Sequence, residues 1–366
     1  MKSARSVRIF TGISITTLAI SAISALAFGT LSASITKIDA FAGIDKRPDK
    51  KSSAINYLLV GSDTREGLTK AELKELRVGS VATAAGKRSD TMLLVHISKA
   101  RDKAVLVSIP RDTFALIPEH LSKTGKTVPA VHSKINSAFN WGGAPLLIQT
   151  IEEMTQLKID HYVEVNFAGF ARVVDSLGGI EVCTKKDIDD PKSHLVLPAG
   201  VHTLNGIEAL KYVRTREFDG LGDIGRMQRQ QAFMSSVLKK ATSAGVLLNP
   251  VTMTSFINSS LAAVTTDEGL KNSDLITLAK QMKSLATSNV RTLTVPLADL
   301  NYYSNGVTAA VLWDPVLAPE LWDRLREDRA VIDEVIASPS PSSTKAAKVE
   351  IVDKFKSRTA DDNICR

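Results

Sequence analysis

A layered α/β or mixed α+β sandwich is the fold class the sequence predicts, and three observations carry it. Short apolar runs of strand length alternate with longer stretches of helical spacing along most of the chain. With 366 residues and 44% hydrophobic content there is material for one large core or two ordinary ones. The runs break at Gly61-Ser62-Asp63 and Pro110-Arg111-Asp112, and Asp90 precedes another, so charged residues flank the ends of neighbouring apolar strands. Open α/β sheets place ligands at such ends.

The first element is apolar. Residues 9–36 lie uncharged between Arg8 and Lys37, more than the roughly 20 residues a helix needs to cross a bilayer. Lys2, Arg5 and Arg8 precede this stretch, which predicts a single-pass anchor. Residues 1–8 are then cytoplasmic and everything after the anchor lies outside. The rival is a cleaved signal peptide at Ala25-Leu26-Ala27, but the apolar run continues past that site. Residues 37–53 read as a polar linker, 54–337 as the folded domain, and 338–366 as a Ser/Pro/Lys-rich tail.

Within the domain, 54–60, 91–97 and 104–109 are expected strands, with a charged insertion at 64–87 and a short helix near 69–77. Helical spacing follows at 133–141 and 145–157, with Pro145 well placed as a first helical residue. A strand at 161–165, a helix at 167–177 stopped by Gly178-Gly179, and a short strand at 180–183 come next. Helices are expected at 205–213, from Asp223 to about Ser243, at 250–262 and at 272–286, before a strand at 290–296.

Two of these helices carry or flank four arginines within sixteen residues, Arg214, Arg216, Arg226 and Arg229. In YVRTREFDGLGDIGRMQRQQ, residues 212–231, Arg214 and Arg216 are two apart and share a face of an extended segment. Arg226 and Gln230 are four apart and share a helical face. A guanidinium fork suits phosphate oxygens better than a lysine point charge does. The bland alternative is a solvated basic helix start. The net charge of +7 is compatible with nucleic acid, an anionic membrane or a phosphorylated substrate.

No GxSxG, GxxxxGK[ST], HExxH or strand-borne GxGxxG occurs, so triad hydrolase, P-loop, Rossmann and zincin chemistry lack their anchors. The six histidines are scattered, and none has metal-ligand spacing with a cysteine. Two carboxylates, Asp63 and Asp90, are suitable ligands for a Mg²⁺ that completes its shell with water and substrate phosphate. Arg88, Arg111, Arg214, Arg216 and Arg226 would neutralise the remaining charge. The two cysteines, Cys183 and Cys365, both in the exported part, read as one disulfide.

Residues 54–63 (AINYLLVGSD), 88–92 (RSDTM), 108–113 (SIPRDT), 133–139 (SKINSAF), 173–182 (VVDSLGGIEV) and 212–231 together resemble the LytR-CpsA-Psr family of cell-wall enzymes. The resemblance implies a central mixed sheet flanked by helices, with an apolar pocket for a lipid tail. It implies transfer of a glycan phosphate from a polyprenyl-pyrophosphate carrier to peptidoglycan, with release of polyprenyl phosphate. The resemblance extends to an accompanying pyrophosphatase activity or glycan transfer to protein. Residue by residue it makes Asp63 and Asp90 the metal ligands for Mg²⁺, with Mn²⁺ as the alternative. Arg88, Arg111, Arg214, Arg216, Arg226 and Gln230 become the pyrophosphate set. The chemistry of the transfer itself then points to Arg111, Asp112 and Asp90 as the catalytic residues. Asp112 and Asp223 are both candidates to take the acceptor's proton. The cysteine pattern looks like the actinobacterial branch, whose cargo is arabinogalactan or a related glycan. Ser137 departs from the histidine frequent at that motif position.

Two rivals stand beside this reading. One is a membrane-bound regulator, or transcriptional attenuator, that binds polyprenyl phosphates without turning them over. The other is a DNA-binding attenuator, which the topology opposes because the basic domain is expected outside the membrane. The expected partners are thus a lipid-linked glycan, peptidoglycan and the membrane, and no nucleic acid.

Overall fold

The computed structural model describes residues 35–65, 67–76, 89–216, 222–241, 243–247, 249–271, 273–274, 287–336 and 349–359. The expected anchor at 9–36 falls almost wholly outside them, as do Arg88, Cys365 and most of the helix expected at 272–286. Among the described residues no helix is long and apolar enough to cross a membrane.

Eight strands form the central sheet: β1 (Thr36–Ile38), β2 (Ile55–Ser62), β3 (Ser89–Ile97), β4 (Ala104–Ile109), β5 (His161–Val165), β6 (Val264–Asp267), β7 (Val290–Thr294) and β8 (Arg358–Thr359). Their order is β1-β6-β5-β2-β3-β4-β7-β8. The pairs β1/β6, β5/β2 and β4/β7 are parallel and the rest antiparallel, so the sheet is mixed, as the resemblance implied.

Both faces are covered, and the period of two along each strand sorts the side chains between them. Leu58, Val60, Met92, Leu94, Val107 and Ile109 face one layer. That layer is built on α1 (Ile135–Thr155) and α2 (Leu317–Arg326). The intervening residues Leu59, Leu93 and Leu106 face the opposite layer. It holds α3 (Phe167–Ser176), α4 (Gly206–Arg214), α5 (Gly222–Ala241) and α6 (Pro250–Ala263).

Local chemistry explains where the helices begin. Asn166 caps α3 by accepting from the Gly169 N–H at 2.7 Å. Asn205 and Glu208 form a capping box at the start of α4. The two stretches expected at 133–141 and 145–157 are joined as α1, but Gly143 at φ 66° breaks the helix two residues before Pro145. Pro145 therefore opens the second segment, and residues 133–134 belong instead to a strand, Val131–Lys134. Close approach needs glycine in two places. A Cβ on Gly169 would sit 2.4 Å from the Ala263 carbonyl oxygen, and one on Gly206 would sit 2.3 Å from that of Ala171.

Three regions differ from expectation. The polar stretch at 37–53 is pinned to the domain. Lys37 donates to Thr266 Oγ1 at 2.9 Å, Ala40 is fully buried, and Arg47 meets the buried Glu152 at 2.6 Å. Its charges looked like solvation in the sequence, yet their partners stand more than a hundred residues away. The tail also folds back in part. Val349–Val352 pairs with Asp333–Ile336, Phe355 is 5% exposed, and β8 closes the sheet edge against β7. The low-complexity composition of 338–348 had masked this apolar segment. Finally, the hairpin Leu297–Ser304/Val307–Trp313 and helix α2 lie in a part of the chain where no element was expected.

Candidate functional site

The expected site residues gather where β2, β4, β5 and β7 end and β3 begins. A cavity of about 380 Å³ lies between the sheet and the α3–α5 layer. Its floor is Leu59, Gly61, Thr91, Leu93, Leu106 and Ser108, the alternate residues of β2, β3 and β4. Gly61 keeps that floor low, since a Cβ there would already stand 3.1 Å from Thr91 Cβ. Phe167, Phe170, Leu210, Val213, Phe233 and Met234 form the roof.

One rim of this apolar space is cationic. Arg214, Arg216, Arg226, Gln230 and Lys192 all line it. Arg214 ends α4, and Thr215 turns extended at φ −59°, ψ 138°. Thr215 is fully buried while the arginines either side reach the cavity, as their spacing of two predicts. The segment is held from below. Arg216 N–H donates to Asp190 Oδ2 at 2.6 Å, and Asp190 Oδ1 accepts from Lys192 N and Ser193 N. Arg229, the fourth arginine of the run, takes a different job and donates to the Thr215 carbonyl. Gln230 Nε2 donates to the Val213 carbonyl at 3.1 Å, tying α5 to the end of α4. Arg214 also stacks over Phe167, 5.3 Å from the ring centroid.

A small cleft adjoins the cavity and shares Thr91, Ser108, Arg226 and Gln230 with it. Arg111 and Asp112 line its far side. Asp112 is engaged by Arg111 Nε at 3.3 Å and by Lys134 Nζ at 3.3 Å. The backbone here is fixed: Val311 N–H donates to the Asp112 carbonyl, and Asn136 N–H to that of Arg111. Cavity and cleft thus bring together Arg111, Asp112, Arg214, Arg216, Arg226 and Gln230.

The two metal candidates sit at the same sheet end. Asp63 follows the last residue of β2 and is half-buried. Gly61 pairs with Thr91 and Ser62 with Ser89, which makes Asp90 the extra residue of a bulge on β3. Bulges beside sites re-aim a side chain. The side chains of Asp90 and Asp223 lie outside the described residues. Among the described residues no group of three or more His, Cys, Asp or Glu clusters together. A pair of hard carboxylate oxygens, leaving most of the shell to water and phosphate, fits Mg²⁺ or Mn²⁺.

Sequence reasoning missed Lys134, Asp190, Lys192 and Gln231. Lys134 was visible inside SKINSAF. Asp190 and Lys192 occupy the turn between two short strands, Ile188–Asp190 and Leu195–Leu197, where no periodicity marks them. Gln231 donates to Ser108 Oγ and Thr294 Oγ1, fastening α5 to the sheet. Cys183 lies half-buried on the strand Ile180–Thr184, and its expected partner is outside the described residues.

The sequence profile of the LytR_cpsA_psr family matches residues 27–319. The chain is 37% identical over 275 residues to the probable cell wall biosynthesis protein LcpB of Corynebacterium glutamicum, covering 75% of this chain. It is 35% identical over 204 residues to the polyisoprenyl-teichoic acid–peptidoglycan teichoic acid transferase TagT of Bacillus subtilis, covering 54% of this chain. The matches span 62% and 56% of those relatives' own lengths. The solved structure of TagT bound to LIIa-WTA superposes with a TM-score of 0.56 at 27% identity, over 79% of this chain and 98% of that one.

Proposed function

This chain belongs to the LytR-CpsA-Psr family, and from that premise we propose that it is a membrane-anchored glycopolymer–peptidoglycan phosphotransferase. It takes a glycan phosphate from a polyprenyl-pyrophosphate carrier and passes it to a peptidoglycan hydroxyl on the outer face of the membrane. The cargo in this reading is arabinogalactan or a related cell-wall glycan.

One observation carries the proposal: an apolar cavity whose rim bears Arg214, Arg216, Arg226 and Gln230 and which adjoins the Arg111–Asp112 cleft. That combination suits an amphiphile with a long hydrocarbon tail and a polyanionic head. Each methylene buried contributes about 0.8 kcal/mol, and guanidinium forks match the head's paired oxygens.

The acceptor oxygen attacks the phosphorus that carries the sugar, and the bridging oxygen leaves with polyprenyl phosphate. Charge spreads over the phosphoryl oxygens in such a transfer, so positioned cations lower the barrier. Arg111, Arg214, Arg216 and Arg226 supply them here. Asp63 and Asp90 would hold Mg²⁺, or Mn²⁺, which when bound adds neutralising charge at the pyrophosphate. Asp112, engaged by Arg111 and Lys134, orients Arg111.

Incubating the chain with a synthetic lipid-pyrophosphate glycan and peptidoglycan fragments, with and without Mg²⁺, tests the reading. Metal-dependent glycan-phosphate attachment is the expected result. Tight binding of the lipid with no turnover under any metal would favour the regulator instead. Asp112→Asn and Asp223→Asn separate the carboxylates: the one that takes the hydroxyl proton loses rate while keeping donor affinity.

A further inference from the structure

The cleft does not end at Asp112. Along Phe114–Ile117 the odd and even residues part company: Thr113, Ala115 and Ile117 are buried, whereas Asp112, Phe114 and Leu116 share the outer face. The partner strand Val131–Lys134 sets Lys134 opposite Phe114 and His132 opposite Leu116. Phe114 and His132 stack at 4.9 Å with their planes 11° apart, and Tyr302 meets the Phe114 ring edge-on at 5.1 Å. Tyr302 comes from the hairpin Leu297–Ser304/Val307–Trp313. That hairpin is fastened to the site strand through the Thr113/Val311 bridge and the Val311 bond to Asp112. A track of rings therefore runs outward from the phosphoryl cleft.

The track has polar edges as well. Asn305 Nδ2 lies 3.3 Å from His132 Nδ1. In the tautomer in which Nδ1 accepts from that amide, the ring's Nε2–H is left to donate in turn. Lys134, bound to Asp112 at 3.3 Å, supplies a second donor between the rings and the cleft. Leu116 remains 46% exposed beside them. Exposed apolar surface rimmed by polar groups marks a binding surface. Sugar rings carry C–H faces that lie flat on aromatic rings and hydroxyls that seek donors at their edges, and this surface offers both.

We propose that the Phe114–His132–Tyr302 track binds the acceptor glycan strand and leads its hydroxyl to the Arg111–Asp112 cleft. The proposal rests on the transferase reading, and continuity carries it: Asp112 belongs to the outer face of the track and to the wall of the cleft. The donor's head and tail already have the cationic rim and the apolar cavity, which leaves this outward path for the second substrate.

The test measures binding of soluble, undecorated peptidoglycan glycan strands to the full chain with no donor present. The double variant Tyr302→Ser/His132→Ala should bind them at least tenfold more weakly, while its affinity for the lipid-linked donor stays as in the parent. Tyr302→Phe should retain binding, because the ring and not the hydroxyl makes the contact. Tyr303→Ser, on the exposed neighbouring position of the same hairpin, should also bind normally. If the double variant melts early, His132→Gln alone decides, with a loss of glycan affinity expected. Unchanged glycan affinity in the double variant, or in His132→Gln where that variant decides, overturns the proposal. A loss of donor affinity alone overturns it too, by assigning the track to the carrier's own sugars. A chain that binds strands through Tyr302 and His132 yet never transfers from a lipid pyrophosphate would defeat the transferase reading and leave the track standing.

Discussion

Where β2 begins and β3 finishes, charged and polar groups meet partners within the protein. Asp160 holds Lys50 at 2.6 Å and the Asn56 N–H at 2.8 Å, Glu152 takes Arg47, and His96 is fixed between Asn56 and Asp328. At the other end of the same strands, Arg214, Arg216, Arg226 and Lys192 converge with like charge on the rim of a cavity. The difference teaches how one sheet divides its labour. Ion pairs between distant parts of the chain fix the frame, whereas guanidinium groups that line one cavity rim present their forks to an anionic ligand. Substitutions at the two ends should therefore separate stability from activity.

The largest effects are expected at the cationic end and should leave the melting temperature nearly unchanged. Asp63→Ala and Asp90→Ala should abolish metal-dependent transfer, checked by titrating activity against Mg²⁺ alongside a melting curve. Arg111→Ala, Arg214→Ala and Arg216→Ala should each lower kcat by about 10²–10³. Lysine should rescue little, because it restores the charge but not the fork. A lysine enzyme near parental rate would mean that net charge alone matters there.

At the compensated end, Arg47→Ala should do the reverse. Glu152 is 1% exposed and would lose its ion pair. Removing one partner of a buried pair costs about 3–5 kcal/mol, and the partial exposure of Arg47 puts the expected loss at the lower end. Chemical denaturation reads this directly, and kcat per folded molecule should hold. A fall in kcat with no fall in stability would blur the division between the ends.

The covalent tie expected between Cys183 and Cys365 is a smaller term. A loop of this length gives about 5 kcal/mol as an upper figure in the chain-entropy treatment. Pairing of β8 with β7 already returns the chain to the sheet a few residues before Cys365, so a gain of about 1–2 kcal/mol is expected. Non-reducing peptide mapping should find the linked pair, and Cys183→Ser/Cys365→Ser should melt slightly lower. Two alkylatable thiols in protein matured outside the cytoplasm would exclude the bridge.

The smallest effect concerns pH. Burial pushes the His96 pKa below its ordinary 6.5, against the pull of Asp328, so the unfolded chain binds the proton more readily than the native one. The stability of neutral His96 is thus complete above about 6.5 and declines as the pH falls below that value. His96→Gln should flatten this slope in denaturation curves between pH 7 and 5. An unchanged slope would place the titration elsewhere.

Much of this molecule was legible without its structure. The strands expected at 54–60, 91–97 and 104–109 lie within a residue or two of the observed Ile55–Ser62, Ser89–Ile97 and Ala104–Ile109, because backbone pairing and burial are imposed locally by such apolar runs. The spacing of two between Arg214 and Arg216 and of four between Arg226 and Gln230 set their shared directions, since strand and helix periods fix where side chains point. What the sequence left open depends on surfaces far apart in the chain. The cavity is empty space between Leu59 or Leu93 and Phe167 or Phe233, and a void has no residue to announce it. Asp190 supports Arg216 across 26 positions, and Arg47 finds Glu152 across 105. The fold-back of residues 349–359 was hidden for the same reason: Val349–Val352 becomes a strand only beside Asp333–Ile336, and Arg358–Thr359 an edge strand only beside β7. Local sequence dictates the elements and which way their side chains face. Only the packed tertiary structure decides which distant charges are compensated and where the layers leave room for a ligand, because both are properties of the contacts between elements.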